Sequence, residues 1–192
     1  MRAPSSPNEQ SFGHVLICVS LLWLAGNGTR ITILSVPPVI PIIHADLRMS
    51  ETEVGILTGL PPVLFALAAV PGSLLIARFG ARATLVFGLL ATAAGSALRG
   101  AVPDIPVLDI TLLYGATIVT GFGVAVMHPS LAQLVREWLP HRIGFGTAVY
   151  TNGLIVGEIL PVALTIPLML PLVGGSWRLG FVAWAVPVAI SP

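Results

Sequence analysis

Long apolar stretches, separated by short breaks rich in charge, proline or glycine, run through this chain of 192 residues. Most of them reach the roughly 20 residues that an α-helix needs to cross a bilayer. The pattern predicts six membrane-spanning helices, over residues 14–43, 54–77, 83–98, 110–135, 143–170 and 179–192. Residues 1–13 are predicted to form a short polar tail. We therefore expect an all-α integral membrane protein built as a six-helix bundle.

The composition agrees with a membrane protein and excludes several other classes. Hydrophobic residues make up 55% of the chain and charged residues only 9%, with a mean hydropathy of +0.95, whereas soluble domains carry roughly 25% charged residues. All nine basic residues are arginines, and they are dispersed singly, so no basic stripe exists for a nucleic acid. The single cysteine, Cys18, excludes an internal disulfide and a cysteine metal cluster. We expect no cofactor.

Arginines in the predicted loops indicate the orientation of the chain. The first apolar stretch is too long for a cleavable signal peptide and is interpreted as a retained helix. With a cytoplasmic N-terminus, five arginines lie inside: Arg2, Arg78, Arg82, Arg136 and Arg142. Three then lie outside: Arg48, Arg99 and Arg178. Because the side richer in basic residues stays in the cytoplasm, the count favours a cytoplasmic N-terminus.

Arg30 and Glu158 are the two ionic residues deep inside predicted spans. A charge near the bilayer centre costs on the order of 3 kcal/mol on insertion scales. Both residues lie roughly 22 to 24 Å along helices that run in the same direction, at about 1.5 Å per residue. A direct or water-bridged pair is therefore feasible if the two helices are neighbours.

Two interpretations of this pair stay open. A permanent salt bridge would hold the bundle together. Alternatively, Arg30 offers an always-charged planar fork to an anionic or strongly polar solute, because a guanidinium matches such groups with several donors. Glu158 would then be a titratable partner that takes up a proton during transport.

Other polar residues share the faces of these two helices. Asn27 lies one turn before Arg30, and Thr151 lies two turns before Glu158, so each can join the same lining at helical spacing. Two more polar residues, Tyr150 and Asn152, flank Thr151 on the fifth predicted span. We predict that these residues line a solute site.

His128 lies near the middle of the fourth predicted span and is followed by Pro129. A histidine at this depth can carry protons or donate a hydrogen bond to a solute. The alternative is a histidine that bonds a neighbouring backbone carbonyl and has a purely structural role.

Prolines inside three of the predicted spans indicate bent helices, because a proline removes one helical hydrogen bond. They are Pro37, Pro38 and Pro41 in the first span, Pro61, Pro62 and Pro71 in the second, and Pro161 and Pro167 in the fifth, with Pro171 directly after its outer end.

The loop between the second and third spans carries a recognisable motif. Its matching residues are Leu75, Arg78, Gly80 and Arg82, and the stretch resembles the cytoplasmic signature of the major facilitator superfamily. Two positions depart from that signature. Ser73 replaces the leading glycine, and Ala77 stands where the signature has an aspartate.

The wider chain resembles the cyanate and nitroimidazole transporter branch of that superfamily. The segments that fit in order are 27–30, 46–47, 77–80, 98–99, 121–125, 147–153 and 176–178. The resemblance implies a secondary transporter of the bacterial inner membrane that works by alternating access. It also implies a central cavity lined by the first, second, fourth and fifth spans.

Members of this family have twelve spans in two related halves, and the chain looks like the N-terminal half. Three explanations stay open: a truncated gene, a deliberately shortened chain, or a half-unit that pairs with another copy or a separate second half. We favour truncation, because the last apolar segment stops without a basic cytoplasmic tail.

We expect a secondary active or facilitative transporter of a small anion or polar organic solute, acting in the lipid bilayer and linked to protons if Glu158 titrates. The alternative is a non-transporting membrane fragment or assembly subunit that needs a second half. An enzyme is disfavoured, since the chain contains no H-E-x-x-H helix and no G-x-S-x-G elbow. A pore is a third option. Pores that select ions with side chains use a ring of repeated charges, which a single arginine and a single glutamate supply only in an oligomer.

Overall fold

The computed structural model describes residues 12–101 and 108–190. Most of the predicted tail, residues 1–11, lies outside this range. The described chain forms helices α1 (Phe12–Leu34), α2 (Ile40–Leu47), α3 (Glu51–Leu67), α4 (Ala69–Phe79), α5 (Ala81–Gly100), α6 (Leu108–Trp138), α7 (Ile143–Leu164), α8 (Leu170–Leu172) and α9 (Trp177–Ile190). A 3₁₀ turn, Pro37–Val39, joins α1 to α2, and a π-helical turn, Thr165–Met169, joins α7 to α8.

Four helical stretches of the described residues are long and apolar enough to cross a membrane. They are Gly13–Leu47, Ala81–Gly100, Asp109–Trp138 and Ile143–Leu172. Helices α3 and α4 together make a fifth if the bent pair is one span, whereas α9 has only 14 residues. The protein is therefore an all-helical, multi-pass integral membrane protein, and the number of six spans stays a prediction.

The bend between α3 and α4 measures 53°. It lies at Ala68, three residues before Pro71. A proline cannot donate to the carbonyl four residues earlier, here that of Leu67, and its ring clashes with that carbonyl. Pro61 and Pro62 lie within α3, which continues through them to Leu67. The sequence thus predicts a bend in this span, and Pro71 explains its place.

Glycines let the helices approach closely in three main pairs. Helix α1 packs on α7, and α5 packs on α6 and α9. A Cβ at Gly88 of α5 would lie 2.7 Å from the backbone oxygen of Gly123 of α6, and a Cβ at Gly123 would lie 2.8 Å from that of Gly88. Small residues at such crossings bring backbones into van der Waals contact, which is one of the forces that drive helix association in lipid.

The apolar interior consists of two clusters. The larger one joins α1, α5, α6 and α9 and includes Leu22, Leu89, Met127, Leu131, Leu134 and Val188. The smaller one lies at the end of the bundle that carries Arg48 and includes Val39, Ile43, Leu113, Trp177 and Phe181. We refer to this as the Arg48 end, and to the opposite end as the Gly80 end. Between helices, the Ser96 hydroxyl donates to the Phe181 carbonyl at 2.9 Å and ties α5 to α9.

Candidate functional site

Arg30 of α1 and Glu158 of α7 form an ion pair in which Arg30 Nε lies 3.4 Å from Glu158 Oε1. The contact is electrostatic and falls outside hydrogen-bond geometry. The two side chains are 27% and 42% exposed, so the pair lies partly open on the surface of the described bundle. The two charges that the sequence places at one depth are therefore direct neighbours.

Two aromatic rings connect Arg30 to helices α3 and α6. The guanidinium carbon of Arg30 lies 6.0 Å from the centroid of the Phe65 ring of α3, which is within cation–π range. Phe65 in turn meets His128 of α6 edge to face, with ring centroids 6.2 Å apart. His128 is thus near Arg30 through one aromatic ring.

A cavity of about 220 Å³ lies beside Arg30. Helices α1, α3, α5 and α6 enclose it, together with the turn after α1. Its lining residues are Arg30, Ile33, Leu34, Val36, Pro37, Leu57, Thr58, Pro61, Pro62, Phe65, Arg99 and Thr117. Most of this surface is apolar, and four polar side chains interrupt it. Such a cavity, apolar with few polar groups, is typical of a small-solute site.

Arg99 is the residue that sequence reasoning missed. The sequence places it in an outer loop, whereas it lies in the last turn of α5 and is only 1% exposed. Its Nε donates to Thr117 Oγ1 of α6 at 3.2 Å, and its Nη1 donates to the Thr32 carbonyl of α1 at 2.9 Å. The Phe181 ring of α9 lies 5.8 Å away. A buried charge costs several kcal/mol, so its position in this cavity needs an explanation.

Asn27 lies at the crossing of α1 and α7 rather than in the cavity lining. It is 6% exposed, and neither its Oδ1 nor its Nδ2 has a hydrogen-bond partner among the described residues. Buried polar groups normally have a partner in protein or ordered water. Asn27 therefore retains unused hydrogen-bonding capacity one turn from Arg30.

The remaining predicted site residues of α7 point elsewhere. Tyr150 is half-buried beside the larger apolar cluster, and Thr151 is exposed. Asn152 Oδ1 accepts a hydrogen bond of 2.9 Å from Trp23 Nε1. Asn152 thus belongs to a separate groove of about 590 Å³ between α1 and α7. The structure does not bring these three residues to the lining of the Arg30 cavity.

The loop motif forms the turn between α4 and α5. Leu75 is half-buried, whereas Arg78, Gly80 and Arg82 are exposed at the Gly80 end. The Arg78 guanidinium stacks 5.4 Å from the Phe79 ring. Gly80 has φ +83° and ψ 162°, a backbone conformation open essentially to glycine alone. The motif glycine is therefore required by the geometry of this turn.

A polar contact at the Arg48 end joins α2 to α9. Asp46 Oδ2 accepts from Trp177 Nε1 at 2.9 Å and from Arg178 Nη1 at 3.0 Å, and the Arg178 guanidinium lies 4.5 Å from the Trp177 ring. These residues belong to two of the segments that carry the family resemblance. We refer to this group as the Asp46 latch.

The family model of the Major Facilitator Superfamily matches residues 18–192, and the chain belongs to this superfamily. It is 29% identical to an uncharacterized transporter, YycB, of Bacillus subtilis (strain 168), over 93% of this chain and 42% of that protein. It is 28% identical to the 2-nitroimidazole transporter of Escherichia coli (strain K12), over 86% of this chain and 40% of that protein. It is 24% identical to the cyanate transport protein CynX of the same strain, over 89% and 43% respectively.

These relatives confirm the resemblance to the cyanate and nitroimidazole branch that the sequence predicts. The chain spans about two fifths of the length of the curated relatives that it matches. Among the described residues, no group of three histidine, cysteine, aspartate or glutamate side chains is arranged to hold a metal ion.

Proposed function

We propose that this chain is one six-helix unit of a secondary active or facilitative transporter for a small anion or polar organic solute. The observation that carries the proposal is the position of Arg30, between the Glu158 carboxylate and a largely apolar cavity. A half-buried arginine in a membrane helix is retained at a cost and is typical of a solute pathway. The cargoes in the names of two relatives, 2-nitroimidazole and cyanate, are small and polar, which supports this class of solute.

In this proposal Arg30 binds the solute through its planar guanidinium group, and Asn27 adds a hydrogen bond through its unpartnered amide. Glu158 competes with an anionic solute for Arg30, and protonation of Glu158 frees the guanidinium. His128, linked to Arg30 through Phe65, assists by moving a proton or by donating to the solute.

A second six-helix unit completes the site in this proposal, either as another copy or as a further segment. Secondary transporters place their sites between two units that rock against each other. Helix α7, which carries Glu158, supports such a partner. Only 28% of its spanning window is buried, compared with 50–56% in the other three long spans. Tyr150, Thr151 and Asn152 on this helix would then face the partner unit.

We also propose that the Gly80 end and the N-terminus lie in the bacterial cytoplasm. Four arginines of the described chain lie at the Gly80 end: Arg78, Arg82, Arg136 and Arg142. Arg48 and Arg178 lie at the opposite end, and the buried Arg99 counts for neither side. This distribution supports the orientation, because basic residues in short loops stay cytoplasmic.

Binding of nitrate and cyanate to the chain in lipid nanodiscs tests the proposal. Ligand-induced thermal stabilisation is measured at a fixed pH, with the mass of the assembled species known. We expect Arg30→Ala to abolish binding and Arg136→Ala, an exposed arginine, to leave it unchanged. In the wild type, nitrate should bind, with an affinity limited by the Glu158 carboxylate, which competes for Arg30.

Glu158→Gln should bind nitrate more tightly than the wild type, because glutamine carries no competing charge. Unchanged binding in both Arg30→Ala and Glu158→Gln would contradict the proposed site. No binding by a well-folded wild-type chain would contradict the proposed function of this unit.

A further inference from the structure

The buried guanidinium of Arg99 lines the same cavity as Arg30. We propose that Arg99 is a second anion-binding group of this site, so that the cavity accepts a compact monoanion, such as a small carboxylate, between two guanidinium groups. This inference rests on the proposed transport function and narrows its substrate to anions.

The charge balance around the cavity supports an anion. Its lining contains two guanidinium groups and no carboxylate. In the part of the chain that the structure describes, Arg99 forms no ion pair, and Arg30 pairs with Glu158, which lies outside the lining. A buried charge without a counter-ion is strongly unfavourable, and an anionic solute supplies the missing charge.

The hydrogen bonds of Arg99 fix its orientation without using all its donors. A guanidinium has five N–H groups, and the bonds to Thr117 Oγ1 and the Thr32 carbonyl take up two of them. The Thr117 hydroxyl donates to the Leu113 carbonyl at 2.7 Å, so its oxygen is fixed as an acceptor for Arg99. The guanidinium is therefore held rigidly, with N–H groups left over for a ligand.

The position of Thr32 places Arg99 near Arg30 along α1. Thr32 follows Arg30 by two residues, which corresponds to about 3 Å of helix rise. Arg99 reaches this carbonyl from α5, whereas Arg30 extends from α1 itself. An anion in the cavity can therefore meet one guanidinium from each helix.

A purely structural role accounts for only part of the charge. The cation–π contact with the Phe181 ring uses the positive charge but offsets only part of the cost of burying it. Both acceptors of Arg99, a hydroxyl and a carbonyl, are neutral, so a neutral donor would connect α5 to α1 and α6 without a buried positive charge. The charge becomes useful when an anion enters. The cavity of about 220 Å³, lined by apolar groups and the hydroxyls of Thr58 and Thr117, suits a small anion with a short apolar tail.

Acetate and acetamide are matched probes, because they have nearly the same shape and differ in charge. Their binding to the chain in nanodiscs is measured for the wild type, Arg99→Gln, Arg99→Lys, Arg30→Gln and the exposed control Arg136→Gln. We expect Arg99→Gln to weaken acetate binding by about ten-fold or more, the range for a hydrogen bond to a charged group, with acetamide binding unchanged. Arg136→Gln should change neither.

The outcomes separate the two proposals. An equal loss of acetate and acetamide in Arg99→Gln would mean that Arg99 only holds the fold. Weakening by Arg30→Gln alone would leave the proposed function standing and overturn the role of Arg99. A wild type that prefers acetamide would overturn the role of Arg99 alone, because a polar organic solute still fits the proposed function. A wild type that binds neither probe and neither nitrate nor cyanate would overturn both. If Arg99→Gln does not fold, Arg99→Lys decides, since it keeps the charge: it should still prefer acetate, and loss of that preference would contradict the proposal.

Discussion

The backbone oxygen of Asn27 lies 2.6 Å from the point at which any side chain at position 157 would place its Cβ. Gly157 therefore allows α1 and α7 to cross with their backbones in contact. The contact lies one residue before Glu158 on α7 and one turn before Arg30 on α1. Gly153, one turn earlier on α7, approaches the Trp23 carbonyl in the same way. The crossing that carries the ion pair depends on the absence of two side chains.

Gly157→Ala should therefore destabilise the bundle. The added methyl group must displace the α1 backbone, and overpacking of this kind typically costs about 1–3 kcal/mol. Thermal unfolding in nanodiscs measures the loss. Gly144→Ala on the same helix is the matched control, because no described atom outside its own stretch of helix lies within 4 Å of the new Cβ. Equal stability of the two variants would show that the crossing is looser than described.

The Asp46 latch should hold the start of α9 against α2. Asp46→Asn removes the charge that Trp177 and Arg178 share, and we expect faster hydrogen exchange over the first turns of α9. The loss should be modest, about 1 kcal/mol, because the Asp46 side chain is 44% exposed and partly screened by solvent. Glu51→Gln, an exposed acid at the same end of the bundle, is the control. Equal exchange rates in both variants would argue against a latch.

Ser50 caps α3 in a reciprocal arrangement. Its hydroxyl accepts from the Glu53 backbone N–H at 3.3 Å, and Glu53 Oε2 accepts from the Ser50 backbone N–H at 2.6 Å. Ser50→Ala should cost about 1 kcal/mol, as is usual for loss of an N-cap. Hydrogen exchange in the first turn of α3 reports the effect. Ser50→Thr keeps a hydroxyl and should restore protection, and a threonine variant as unstable as the alanine variant would rule out the capping explanation.

Gly80 should tolerate no side chain. Its φ of +83° with ψ of 162° is costly for other residues, and Gly80→Ala should lose about 1–3 kcal/mol although its Cβ meets no described atom within 4 Å. Gly55→Ala, inside α3 and equally free of neighbours, should be neutral or slightly stabilising. Comparison of the two unfolding temperatures separates backbone strain from side-chain clash. A stable Gly80→Ala would mean that the turn adopts another conformation.

The class of fold and the common depth of Arg30 and Glu158 could be predicted from the sequence for simple reasons. Apolar length alone indicates membrane helices. The rise per residue of two helices running in the same direction gives the relative depth of two charges, and Arg30 and Glu158 lie at the same level for this reason. Which helices are neighbours is decided by packing. The glycines of α7 allow a close neighbour, but only the structure shows that this neighbour is α1.

Arg99 could not be recognised in the same way. An arginine that follows an apolar span is ordinarily an interfacial residue whose long side chain reaches water. Only the tertiary contacts with Thr32 and Thr117 reveal that this one turns inward. Asn152 shows the opposite case, because its neighbour Trp23 holds it in a separate groove although its spacing along α7 allowed a place in the site.

The tight crossing of α1 and α7 also decides how the ion pair can open. Because the two backbones touch at Gly153 and Gly157, separation of Arg30 from Glu158 by the parting of their helices would break close packing along both helices. Rotation of the two partly exposed side chains breaks their contact without this loss of packing. Rotamer changes of exposed side chains take picoseconds to nanoseconds, whereas domain rocking takes microseconds to milliseconds. The exchange of partners on Arg30 would thus be nearly instantaneous on the timescale of any transport cycle, and α1 and α7 would move through that cycle as one rigid body.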